Sequence, residues 1–103
     1  TGLPLPLGGN AVRRDLGATT CADLARIVRA SIRYGLDHRD AAVRYALQFG
    51  RGLDAALADR FVGMYVNEWT LDYGERGRAA VRRLLADGAV AGLVPKVGEI
   101  EFL

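Results

Sequence analysis

His38 is the one side chain in this 103-residue sequence whose ordinary pKa lies near neutrality. It stands in the charged stretch Asp37-His38-Arg39-Asp40, and no Ser or Cys lies at a spacing that suggests a nucleophile for it to activate. A solvated histidine between two helices accounts for it, so the sequence assigns no catalytic residue. Cys21 is the single cysteine, which forbids an internal disulfide and suits a reducing compartment. One Cys and one His are too few for a zinc site, and there is no spaced Asp/Asn loop of the calcium type. No zinc or EF-hand-type calcium site is therefore expected, and carboxylate metal sites stay open at this point.

Three further patterns invite a chemical reading. Gly50-Arg51-Gly52-Leu53-Asp54-Ala55 matches the dinucleotide pattern G-x-G-x-x-A, but a helical pattern precedes it where a strand is required. Gly50 is more simply the stop of that helix. The cation groups Arg13-Arg14, Arg26/Arg29/Arg33 and Arg82-Arg83 are diluted by acids and lack interleaved aromatics, so no nucleic-acid partner is expected. Met64-Tyr65-Val66-Asn67-Glu68-Trp69-Thr70 places the only Trp among polar residues at a helix-to-helix junction. Capping of the following helix by Thr70 or Asp72 explains most of that polarity.

The elements that position these residues follow from periodicity. Residues 1–18 read as an extended segment, because Pro4 and Pro6 push their predecessors out of the helical region and Gly8-Gly9-Asn10 permits a kink. The prolines restrict it to an edge strand or a crossover. Residues 19–95 read as helical. A capping box at Thr20–Asp23 opens a helix with Leu24, Ile27, Val28 and Ile32 on one face, and Gly35 and Asp37 break it. A second helix runs from Asp37 through Val43 and Leu47 to Gly50. Residues 53–66 read as helical, with Phe61–Val66 also fitting a short strand. Asp72 and Glu75 open a last helix ending near Gly92 and Pro95, and residues 96–103 form a tail or short edge strand. The result is one α+β, mostly helical unit over residues 1–103. Its lone extended segment has no visible partner for its backbone groups.

Composition adds bounds. Half of the residues are hydrophobic and a quarter charged, an ordinary globular balance that argues against disorder. No apolar run approaches the roughly 20 residues of a spanning helix, so no membrane partner is expected. The charge of +2 reflects a slight Arg surplus and is weak support for phosphate binding. Met64 is the only methionine and the first residues carry no signal-peptide pattern. Together with the orphan segment, this leads to the expectation of a piece of a longer, cytoplasmic protein.

Three stretches carry a family resemblance. Gly2-Leu3-Pro4-Leu5-Pro6-Leu7-Gly8-Gly9-Asn10 runs into Val12-Arg13-Arg14-Asp15-Leu16-Gly17, and Ser31-Ile32-Arg33-Tyr34 is followed by His38-Arg39. Phe61-Val62-Gly63-Met64-Tyr65-Val66-Asn67-Glu68-Trp69-Thr70-Leu71-Asp72-Tyr73-Gly74 then precedes Gly77. In this order they resemble the C-terminal part of the 1,4-dihydroxy-6-naphthoate synthases of the futalosine route to menaquinone. The resemblance implies a lyase that cleaves cyclic dehypoxanthine futalosine to 1,4-dihydroxy-6-naphthoate without a metal or organic cofactor. It also implies a two-lobed, periplasmic-binding-protein-like (type II) α/β fold, of which this chain is the C-terminal portion. The general base of that family is a histidine in a His-Glu motif before the Gly-Leu-Pro-Leu-Pro stretch, so His38 does not match it and this chain alone is expected to be inactive. Leu7, Gly8, Gly9 and Asn10 are the expected substrate-binding positions. The expected partners are a small-molecule substrate and the remaining N-terminal part, with self-association when that part is missing. Two alternatives stand beside this reading: a non-catalytic ligand-binding protein of the same fold, and a freestanding helical regulatory module.

Overall fold

A computed structural model of the chain describes residues 1–50, 52 and 54–103. The described residues form a 3-10 turn at Arg14–Leu16 and five α-helices: α1 (Ala18–Asp37), α2 (Arg39–Leu47), α3 (Ala55–Tyr65), α4 (Glu68–Leu71) and α5 (Gly74–Val90). They fall into two compact units, one of Arg13–Asp72 and one of Thr1–Val12 with Tyr73–Leu103.

In the first unit, α1 begins at Ala18 without a side-chain cap, directly after Gly17 at φ 85°, a conformation that favours glycine. The helix passes through Gly35 unbroken, because its backbone ladder continues until His38 N–H donates to the Tyr34 carbonyl at 3.0 Å. Cys21 is buried on α1, and its thiol lies 3.5 Å from the Arg13 carbonyl. Helix α1 packs on α2 and α4, and α2 packs on α3. Val43 of α2 and Ala58 of α3 are the buried apolar residues of those helices.

A polar clasp joins α2 to α3. Arg39 Nε donates to Asp59 Oδ1 at 2.6 Å, and Arg39 Nη2 donates to the Asp59 carbonyl at 2.9 Å. The guanidinium lies so close to α3 that a Cβ at Gly63 would stand 2.8 Å from Nη2. Asp54 caps α3, its carboxylate accepting from Leu57 N–H at 2.8 Å.

In the second unit, α5 buries Gly77 and Ala80. Arg76 Nη2 donates to the Gly2 carbonyl at 2.8 Å, which ties the N-terminal segment to this helix. Gly92, at φ 72°, follows the end of α5, and the Leu93 N–H returns to the Gly88 carbonyl at 2.9 Å in a left-handed glycine termination. Further on, Phe102 meets Tyr73 edge-on, with ring centroids 5.9 Å apart and planes at 80°. The Arg82 guanidinium lies 5.0 Å from the centre of the Phe102 ring.

Two expectations need correction. The α+β class and the periplasmic-binding-protein-like α/β architecture do not hold, because the described residues contain helices and neither a strand nor a sheet. Residues 1–13 are irregular, and the tail at 96–103 likewise forms no strand. The reason is physical: Pro4 and Pro6 supply no N–H donors, and no described segment offers a ladder to pair with. Phe61–Tyr65, which also fitted a strand, lies inside α3. The second correction concerns boundaries, since α1 starts before the expected capping box at Thr20 and a separate short helix, α4, precedes the last one.

Candidate functional site

The segment Leu7-Gly8-Gly9-Asn10 lies in the second unit, and all four residues are exposed. Here the two glycines present bare backbone amide groups, and Asn10 adds a carboxamide that both donates and accepts. The Asn10 side chain hydrogen-bonds no described residue, so it is not spent on capping a local turn. One side chain approaches the segment closely. The Tyr73 hydroxyl lies 3.1 Å from where a Cβ of Gly9 would stand.

The remaining candidates resolve into architecture. His38 occupies the one-residue junction between α1 and α2, exposed, with Nδ1 2.9 Å from the Tyr34 carbonyl. Its ring stacks on Tyr34 at 4.0 Å. A histidine whose Nδ1 is engaged by a helix carbonyl and whose ring covers a tyrosine is explained as a helix terminator. The shallow depression around it, of about 390 Å³, is lined by Asp37, Arg39, Asp40 and Arg44 among others.

The stretch 64–70 is likewise a corner. Asn67 caps α4, with Oδ1 accepting from Trp69 N–H at 3.0 Å, and its own N–H donates to Thr70 Oγ1 at 3.1 Å. Thr70 Oγ1 donates onward to the Tyr65 carbonyl at 2.8 Å, and Asn67 Nδ2 donates to the Gly63 carbonyl at 3.1 Å. The side chains of Asn67 and Thr70 thus close α3 and open α4. Thr70 does serve a cap, but of α4, and Asn67 is its main residue.

The glycine pattern at 50–55 follows helix α2, without a preceding strand among the described residues. Its Arg51 and Leu53 lie outside the described residues. Among the described residues no cluster of His, Cys, Asp and Glu suits a metal ion, and no helix is long and apolar enough to cross a membrane.

Compared with known proteins, the sequence profile of the menaquinone-biosynthesis family matches residues 1–89, and the chain belongs to that family. It is 48% identical over 98 residues to the 1,4-dihydroxy-6-naphthoate synthase of Streptomyces coelicolor, covering 95% of this chain and 35% of that protein. With the synthase of the same name from Thermus thermophilus the identity is 42% over 93 residues, covering 90% of this chain and 34% of the relative. A crystal structure of a protein from Archaeoglobus fulgidus superposes with a TM-score of 0.84 at 40% identity, over 91% of this chain and 36% of that one. The chain thus spans about a third of the length of the relatives it matches.

Proposed function

We propose that this chain is the C-terminal third of a cytoplasmic lyase that converts cyclic dehypoxanthine futalosine to 1,4-dihydroxy-6-naphthoate, and that its exposed Leu7–Asn10 segment contacts the ligand. The observation that carries the reading is the 48% identity to a named naphthoate synthase, sustained over 95% of the chain. One feature of the structure supports it. Large apolar side chains are left uncovered: Ile27, Phe61 and Met64 are 54%, 51% and 56% exposed. Such a set is the expected seat of the remaining two-thirds of the relatives' length. The lone Cys21, free and buried, suits the reducing cytoplasm.

Steady-state kinetics on the full-length protein test the ligand contact. Asn10→Ala should raise KM for cyclic dehypoxanthine futalosine about 2- to 10-fold, the range for one hydrogen bond, while the melting temperature stays at the parent value. A fall in stability with KM unchanged would assign Asn10 to the scaffold. Absence of turnover by the unaltered full-length protein would refute the lyase assignment.

A further inference from the structure

We infer that Tyr73 is a ligand-contacting residue of the same site: its phenol hydroxyl shares the polar surface of Gly8, Gly9 and Asn10 and hydrogen-bonds an oxygen of the bound ligand. The inference rests on the proposed function and adds a residue that lies far from the segment in sequence.

Three observations carry it. First, the Tyr73 hydroxyl stands 3.1 Å from the Cβ position of Gly9, a separation at which any side chain there would press on it. Glycine at that position keeps the hydroxyl where it is. Second, the hydroxyl of half-buried Tyr73 makes no hydrogen bond to a described residue, and neither does the carboxamide of Asn10, the residue after Gly9. Buried tyrosine hydroxyls usually find a partner, so both groups have donor and acceptor capacity to spare. Third, the ring is held in place. Phe102 meets it edge-on at 5.9 Å, and the Arg82 guanidinium covers Phe102 at 5.0 Å. A fixed phenol beside exposed glycine backbone is a pre-organised contact, which loses little freedom when a ligand arrives.

The chemistry of the ligand follows from the groups. A phenol and a carboxamide both donate and accept, so they suit a hydroxyl or carboxylate oxygen of a ligand. The product for which the relatives are named, a dihydroxynaphthoate, carries both kinds of oxygen.

Four variants of the full-length protein test this: Tyr73→Phe, Gly9→Ala, the two combined, and Asn10→Ala. KM for cyclic dehypoxanthine futalosine, Kd for 1,4-dihydroxy-6-naphthoate by calorimetry, kcat and melting temperature are read for each. Tyr73→Phe should weaken both KM and Kd about 2- to 10-fold, with kcat and melting temperature near those of the parent. Gly9→Ala should weaken binding by displacing the hydroxyl. In the double variant the added loss should vanish, because the oxygen it displaces is gone. Parent-like binding by Tyr73→Phe, with Asn10→Ala impaired, would overturn the role of Tyr73 alone. Parent-like binding by both would overturn the placement of the ligand at this segment as well. Strictly additive losses in the double variant would also overturn the inference, since the two positions would then act separately.

Discussion

Replacing Gly63 by alanine should destabilise the protein even though alanine is the better helix former, and the sign should reverse once Arg39 is removed. Gly63 lies within α3, where Gly→Ala alone contributes about 1 kcal/mol through helix propensity. Against that, the new Cβ would stand 2.8 Å from Arg39 Nη2, so the guanidinium must shift. That shift is predicted to cost it the 2.6 Å ion pair with Asp59 and the 2.9 Å hydrogen bond to the Asp59 carbonyl. The side chains of the pair are 34% and 48% exposed, which holds its worth to about 0.5–1 kcal/mol. The half-buried hydrogen bond adds about 1 kcal/mol. Loss exceeds gain, and Gly63→Ala should cost about 0.5–1 kcal/mol. In an Arg39→Ala background nothing remains to evict, and the same substitution should stabilise by about 1 kcal/mol. Urea unfolding of the full-length protein and its three variants measures the cycle. Equal stabilisation by Gly63→Ala in both backgrounds would show that Arg39 is not seated against α3.

Further expectations follow from the same contacts. Asn67→Ala removes the cap of α4 and its bond to the Gly63 carbonyl, and should cost about 1–2 kcal/mol in urea unfolding; Thr70→Val, which breaks the other half of the box, should show a non-additive loss with it. His38→Ala should leave kcat of the full-length protein within about twofold, whereas loss of a general base would cost roughly a hundredfold or more. The isolated chain should self-associate through faces that include Ile27, Phe61 and Met64, and light scattering of the purified chain would detect this. A sharp monomer peak with cooperative unfolding would count against a covering partner.

The helices were legible where a stripe of apolar residues was long. Leu24, Ile27, Val28 and Ile32 mark α1, and the run through Ala80 and Val81 marks α5. Boundaries were less so. Thr20-x-x-Asp23 has the capping-box shape, yet α1 starts at Ala18, because Gly17 at positive φ turns the chain into the helix earlier. Gly35 looked like a stop but sits mid-turn, where the ladder on either side carries it. Asn67-x-x-Thr70 carries a readable signal for α4, since Asn is as good a cap as Asp, but Asp72 offers a competing cap signal five residues on. The strand failed because extended propensity is not pairing: Leu3 to Arg14 has the local pattern without a ladder to join. Candidate site positions Leu7–Asn10 rest on the family resemblance, and Tyr73 is not legible in the sequence because its proximity to Gly9 is tertiary. The Arg39–Asp59 clasp is not legible for the same reason, and only Gly63 hints at it, as a glycine inside a helix demanding a close neighbour.

The most direct measurement compares formation of 1,4-dihydroxy-6-naphthoate from cyclic dehypoxanthine futalosine by three preparations: the full-length protein, the 103-residue chain alone, and the protein with this chain deleted. Turnover by the full-length protein and by neither part is the result expected on the proposed reading, in which the base is supplied from outside the chain and Leu7–Asn10 and Tyr73 contact the ligand. Turnover by the chain alone would mean that it holds a base other than an idle His38. Undiminished turnover after its deletion would contradict any contribution of this third to the site.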